Sequence, residues 1–124
     1  YYYKEEIGTA KSILYTVLSE KPNASNALLF LSLIYKKEGL LDSAYHYANK
    51  TLQYGDINKK RSAYKLLAEI EDKKRNKAKA NTYRYKYFEL QDSINNNTQT
   101  ETIGKLHLLY NFQNFFAVLQ ILLI

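Results

Sequence analysis

Apolar positions in this chain recur every three or four residues in blocks separated by short polar breaks, and that period places one face of a helix against a core. The first block covers residues 8–19 and stops at Lys21-Pro22-Asn23, because proline disfavours helix in the residue before it. Residues 24–37 and 40–53 form two further blocks, with Gly39 at the turn between them and Gly55 after the second, where a left-handed cap conformation is tolerated. Asp56 or Asn58 can then cap a fourth helix over residues 59–74. A fifth, over 76–95, carries Tyr83, Tyr87 and Leu90 on one stripe. The run Asn95-Asn96-Asn97 predicts a break, and Thr98-Gln99-Thr100-Glu101 reads as a capping box that opens a sixth helix over 98–124. That helix begins amphipathic at Ile103, Leu106 and Tyr110. From Phe115 to Ile124 it is apolar except at Gln120, a run shorter than the roughly 20 residues that span a bilayer.

The blocks repeat. Ala10 and Ala44, Tyr1 and Tyr35, and Leu18 and Leu52 each stand 34 positions apart. Ala44 and Ala80, Leu31 and Leu67, Ile34 and Ile70, and the small residues Ser32 and Ala68 stand 36 apart, with the slip of two absorbed near Lys59-Lys60. Two helices of a hairpin approach closely only where a small side chain meets a larger one, so small and bulky positions must recur together. Ser32 and Ala44 are such a small pair.

In the most complete copy, Leu28, Leu31, Ser32, Tyr35, Gly39, Ala44 and Leu52 follow one another in the order bulky, Leu, small, Tyr, Gly, Ala, aliphatic. This resembles the tetratricopeptide repeat family. The second-helix aromatic of that family is Ala48 here, its late Ala is Thr51 and its closing Pro is Asp56. A third copy keeps Tyr64, Leu67, Ala68 and Ala80 but has Glu71 for the Tyr and Arg75 for the Gly. The first copy begins at its Tyr1, keeps Ala10 and Leu18 and closes on Pro22. The resemblance implies an all-α, α-α superhelix of helical hairpins over residues 1–95. It has a truncated first repeat, repeats near 25–58 and 61–95, and an extra C-terminal helix.

Composition agrees with the helical class. In 124 residues, 46% of them apolar, there are only four Gly and one Pro, which leaves few sharp turns and enough apolar surface for one core. Without cysteine, disulfides and thiolate metal sites are excluded, and two histidines make no dedicated metal cluster. The chain begins Tyr1-Tyr2-Tyr3 without a signal-like region and reads as part of something longer.

The net charge of +6 is uneven, since residues 58–86 hold eleven Lys or Arg against three acidic side chains. Lys59, Lys60, Arg61, Lys73, Lys74, Arg75, Lys77 and Lys79 form a candidate basic patch, and nucleic acid or an anionic surface is the alternative partner it would serve.

Candidate chemistry is sparse. Asp42, Ser43 and His46 lie within one helical turn, but a single helix supplies neither the strand-to-helix elbow nor the oxyanion donors that nucleophilic catalysis needs. No phosphate-loop, dinucleotide, zinc-helix or calcium-loop pattern occurs. No catalytic residue, metal ligand or cofactor is therefore expected, and the chain is not expected to be an enzyme. Thirteen tyrosines stand out; Tyr35, Tyr64 and Tyr87 fall on core-facing stripes, while Tyr45, Tyr47, Tyr83 and Tyr85 circle their helices so that only some can be buried.

Tetratricopeptide arrays receive peptides on a surface lined by the first helix of each pair. The resemblance thus implies a groove of Asn26, Leu29, Leu33 and Lys36 from the second copy and Ser62, Lys65, Glu69 and Lys73 from the third. Its mixed character suits an extended or helical protein segment with acidic residues. The C-terminal helix has three readings: a cap on the array, a homodimer element, or the start of a membrane anchor. The stretch from Tyr87 to Ile94 is similar to the end of repeat arrays in bacterial membrane-tethered sensors, which implies a sensory or scaffold part of a larger regulator, in periplasm or cytoplasm.

Overall fold

The computed structural model describes residues 2–123. The side chains of residues 2, 3, 110, 112, 115, 116, 118, 119 and 121–123 lie outside the described residues, and so does most of the apolar run expected to cap, dimerise or anchor the chain. The protein is all-α, with five helices and no strand among the described residues: α1 (Tyr2–Glu20), α2 (Ser25–Lys37), α3 (Leu41–Tyr54), α4 (Ile57–Lys73) and α5 (Lys77–Leu123). Two compact units divide it, Tyr1–Leu90 and Gln91–Ile124.

In the first unit, α1 packs on α2, α2 on α3 and α3 on α4, and α2 also touches α4. The close approach of α2 and α3 is made where Ser32, fully buried, donates its hydroxyl to the carbonyl oxygen of Ala44 at 2.6 Å. A larger side chain at either place would force the helices apart. Leu29, Ala44, Ala48, Leu66, Leu67 and Ile70 form the core, with Tyr35, Leu41, Tyr45, Leu52 and Tyr83 packed around it.

Two turns carry the repeat into the backbone. After α2, the N–H groups of Glu38, Gly39 and Leu40 donate to the carbonyls of Ile34, Lys36 and Tyr35. After α4, those of Lys74, Arg75 and Asn76 donate to Ile70, Asp72 and Glu71, the same three bonds moved by one repeat. The bond across five residues closes a Schellman cap, whose turn residue must be left-handed. Gly39 has φ of 81° and Arg75 has φ of 63°, so arginine adopts the backbone that the first hairpin gives to glycine.

The α3–α4 junction is different. Gly55 is extended (φ −80°, ψ 155°), not left-handed as its place after the helix predicts. Glycine is required there for space, because a β-carbon would lie 2.6 Å from both the Thr51 carbonyl and the Lys59 Cβ. Asp56 then caps α4 by accepting the Lys59 N–H at 2.9 Å.

The sequence-based boundaries need two corrections. α1 begins at Tyr2 instead of residue 8. Nothing between the two breaks a helix, and one interior glycine such as Gly8 costs only about 1 kcal/mol. The break expected at Asn95-Asn96-Asn97 is also absent, since α5 is continuous from Lys77 to Leu123. Thr98 does not cap a new helix; its hydroxyl donates back to the Ile94 carbonyl at 3.0 Å, and Thr100 and Thr102 bond Asn96 and Thr98 in the same way. Asparagine is a weak helix former at a cost of about 0.7 kcal/mol or less per residue, too little to stop a helix without proline or a turn. In the second unit Ile103, Leu106, Leu108 and Leu109 are exposed. Among the described residues no helix is long and apolar enough to cross a membrane.

Candidate interaction groove

α2 and α4 are the first helices of successive hairpins, and their neighbouring faces enclose a surface depression of about 250 Å³ lined by Leu29, Leu33, Ser62, Lys65, Leu66 and Glu69. Five of the eight residues expected to form a groove therefore meet at one place. They meet because a helical step of three or four residues keeps Leu29 and Leu33 on one side of α2, and Ser62, Lys65 and Glu69 on the facing side of α4. Leu29 and Leu66 form the floor and belong to the core, whereas Leu33 is 43% exposed at the rim.

The electrostatics sharpen the picture. Lys36 does not line the depression but pairs with Glu69 across the two helices. Glu69 is thereby neutralised at the rim. Lys65 is exposed and has no ion pair among the described residues, so it is the groove's open cation. Asn26 and Lys73 are exposed on α2 and α4 without lining the depression. Sequence reasoning did not name Leu66, a buried residue of α4 that lines the depression beside Lys65.

The candidate basic residues fall into two groups along α4 and just after it. Lys59, Lys60 and Arg61 start α4, whereas Lys73 ends it and Lys74, Arg75, Lys77 and Lys79 follow. At 1.5 Å per residue the two groups are separated by about 20 Å along the helix. Lys74 is also engaged, 3.2 Å from an Asp42 carboxylate oxygen and 5.2 Å from the centre of the Tyr45 ring.

Tyrosines occupy the joints between helices. Tyr15 of α1 and Tyr35 of α2 share a hydroxyl hydrogen bond, Tyr47 of α3 donates to Tyr15 at 3.4 Å, and the Tyr35 and Tyr47 rings stack 5.7 Å apart. Burial and these partners push the Tyr15 hydroxyl pKa well above its ordinary value. One repeat on, Tyr83 is raised to about 12, first by burial and then by its hydrogen bond with Tyr45. That same bond stabilises the Tyr45 phenolate and lowers its pKa. Tyr85 alone among those expected to circle their helices is well exposed, at 71%.

His46 lies edge-on to Tyr47, 5.1 Å between ring centres, and is exposed. Among the described residues no group of three His, Cys, Asp or Glu side chains is placed to hold a metal ion. No family model matches this chain, and no curated protein matches it.

Proposed function

We propose that the protein is an interaction module of tetratricopeptide-like hairpins that binds an acidic, partly apolar peptide segment between α2 and α4, as the sensory or scaffold part of a larger bacterial regulator. The observation that carries this reading is the convergence of Leu29, Leu33, Ser62, Lys65 and Glu69, from two separate stretches of sequence, on one depression. A bulky apolar side chain of the partner sits over Leu29, Leu33 and Leu66. A carboxylate nearby meets Lys65, and the Ser62 hydroxyl offers a hydrogen bond to the peptide backbone. Binding is the whole mechanism, with no covalent step.

Peptide-array selection with the folded chain, followed by titration of the best ligand by fluorescence anisotropy, tests the assignment. Lys65→Glu weakens an acidic ligand about tenfold or more, equivalent to roughly 1.4 kcal/mol, while Lys73→Glu, outside the depression, changes affinity far less. Equal effects of the two reversals, or none from Leu33→Asp, exclude this groove.

A further inference from the structure

The turns between helices fall on two opposite edges of the first unit, and one edge gathers three stretches of sequence. Along it α2 passes into α3, α4 passes into α5, and α1 begins. Lys74 of the second turn reaches Asp42 beside the first, and a depression of about 540 Å³ between the two is lined by Gly39, Leu40, Leu41, Asp42, Ser43 and Lys74. On its other side the α2–α3 turn meets α1, where Lys11 pairs with Glu38, and Lys4 and Lys37 line a further depression. Such an edge is open to a partner whether or not a further hairpin stacks on either end of the array.

The edge is basic. From Asp72 to Lys79 there are five basic side chains and one acidic, and the acid, Asp72, is held by Arg84 at 2.7 Å. Lys73, Lys74, Arg75, Lys77 and Lys79 are all exposed. On the neighbouring turn both carboxylates are paired, Glu38 with Lys11 and Asp42 with Lys74, so the surplus charge is positive. Helices packed about 8–10 Å apart place the turns within roughly one Debye length of each other, and their charges act on a partner together.

Leu40 is the anomaly of this edge. It is 50% exposed and holds the N-cap position of α3, where its side chain makes no cap bond. One repeat on, Asn76 holds the same place and caps α5, its Oδ1 accepting the Lys79 N–H at 3.3 Å. A polar residue would cap α3 better, so helix formation does not account for leucine here. An apolar side chain raised beside a basic rim matches a bilayer interface, where aliphatic groups enter the acyl boundary and cations meet anionic headgroups. Nucleic-acid phosphates would use the charge but not the leucine.

We infer that this edge is a peripheral docking surface for an anionic phospholipid bilayer, with Leu40 entering the headgroup region and the α4–α5 turn holding lipid phosphates beside it.

Because the chain has no cysteine, an environment-sensitive dye can be placed singly through Ser43→Cys, on this edge, or Lys60→Cys, toward the other end of α4. The full chain is titrated with vesicles of phosphatidylglycerol and phosphatidylcholine in equal parts. Emission at position 43 rises and shifts to the blue, saturably; at position 60 it does not, and pure phosphatidylcholine has no such effect. Lys77→Glu with Lys79→Glu weakens binding about tenfold or more, given about fivefold per basic residue near an anionic surface. Lys59→Glu with Lys60→Glu, an equal change of net charge, weakens it far less. Leu40→Ser keeps the charge and supplies a better cap for α3, yet it weakens vesicle binding several-fold. Circular dichroism checks the fold of each variant. A silent dye at position 43, an equal response at position 60 or with pure phosphatidylcholine, or affinity indifferent to the edge variants overturns the inference. So does binding to a DNA duplex as tight as to the vesicles and unchanged by Leu40→Ser, because nucleic acid is then the partner.

Discussion

The hairpins α2–α3 and α4–α5 make the same turn from different residues. Their cap hydrogen bonds match one for one, and Leu31 and Leu67, Ser32 and Ala68, and Ala44 and Ala80 are buried in pairs. Yet Gly39 is answered by Arg75, and the half-buried Tyr35 by Glu71, a carboxylic acid that is only 3% exposed. Where Tyr35 joins Tyr15 and Tyr47 in a hydroxyl network, Glu71 stands near the Tyr45–Tyr83 pair and helps to raise the Tyr83 pKa. A hairpin therefore tolerates a strained turn and a changed joint if its small and bulky contacts are kept, because steric fit at the close approach is less forgiving than one left-handed residue or one polar partner.

The two hairpins can be driven apart experimentally, most strongly through their shared core positions. Leu31→Ala and Leu67→Ala each remove a fully buried leucine, and each is expected to cost about 3 kcal/mol in urea unfolding, the cavity contribution included. A loss below about 1 kcal/mol at either site would show that its hairpin adapts and the equivalence is only geometric. Exchanging the turn residues has a smaller effect of opposite sign in the two hairpins. Gly39→Arg loses about 1 kcal/mol, and Arg75→Gly gains that much or somewhat less, because the steric cost of the left-handed conformation is removed while the unfolded chain becomes freer. Thermal melts of both variants read this directly, and a destabilising Arg75→Gly would mean that the arginine side chain compensates its own strain.

The smallest separation is in alkali. Tyr83 holds its proton to about 12 in the folded chain, while an unfolded tyrosine loses it near 10, so folding binds more protons in that window. Stability contributed by Tyr83, and by Tyr15 whose pKa is raised further, is complete below pH 10 and declines as pH rises above it. Tyr45, lowered, ionises first of its pair and offsets part of the loss. Tyr83→Phe should flatten the alkaline fall in denaturant stability without changing it at neutral pH by more than about 1 kcal/mol, and a fall unchanged by both Tyr83→Phe and Tyr15→Phe would remove tyrosine ionisation as its cause.

Much of the fold is legible in local signals. Pro22, Gly39 and the Gly55-Asp56 pair mark helix ends because they act on the backbone within one turn of themselves. The small pair Ser32 and Ala44 announces the hairpin because spacing alone puts both on facing stripes. Five groove residues could be named only through the resemblance to tetratricopeptide repeats, which points to the first helix of each pair. The misreadings have local causes too. Asn95-Asn96-Asn97 looks like a break, but the cost of each asparagine is small beside the continuous hydrogen bonding of the helix around it. Arg75 stands at the repeat's Gly position but arginine is by type no left-handed residue, and that conformation is imposed by the bonds from Lys74, Arg75 and Asn76 back into α4.

By itself, then, the amino-acid sequence determined the helical class and most helix ends, which follow from short-range periodicity and backbone preference, and its 34- and 36-residue spacings set the hairpin register. Tertiary structure decided the rest. It tied Lys36 to Glu69 so that Lys65 remained the open charge of the groove, and it joined Tyr15, Tyr35 and Tyr47 in one hydroxyl network. Each of these depends on the distance between side chains far apart in the chain, and only packing sets that distance.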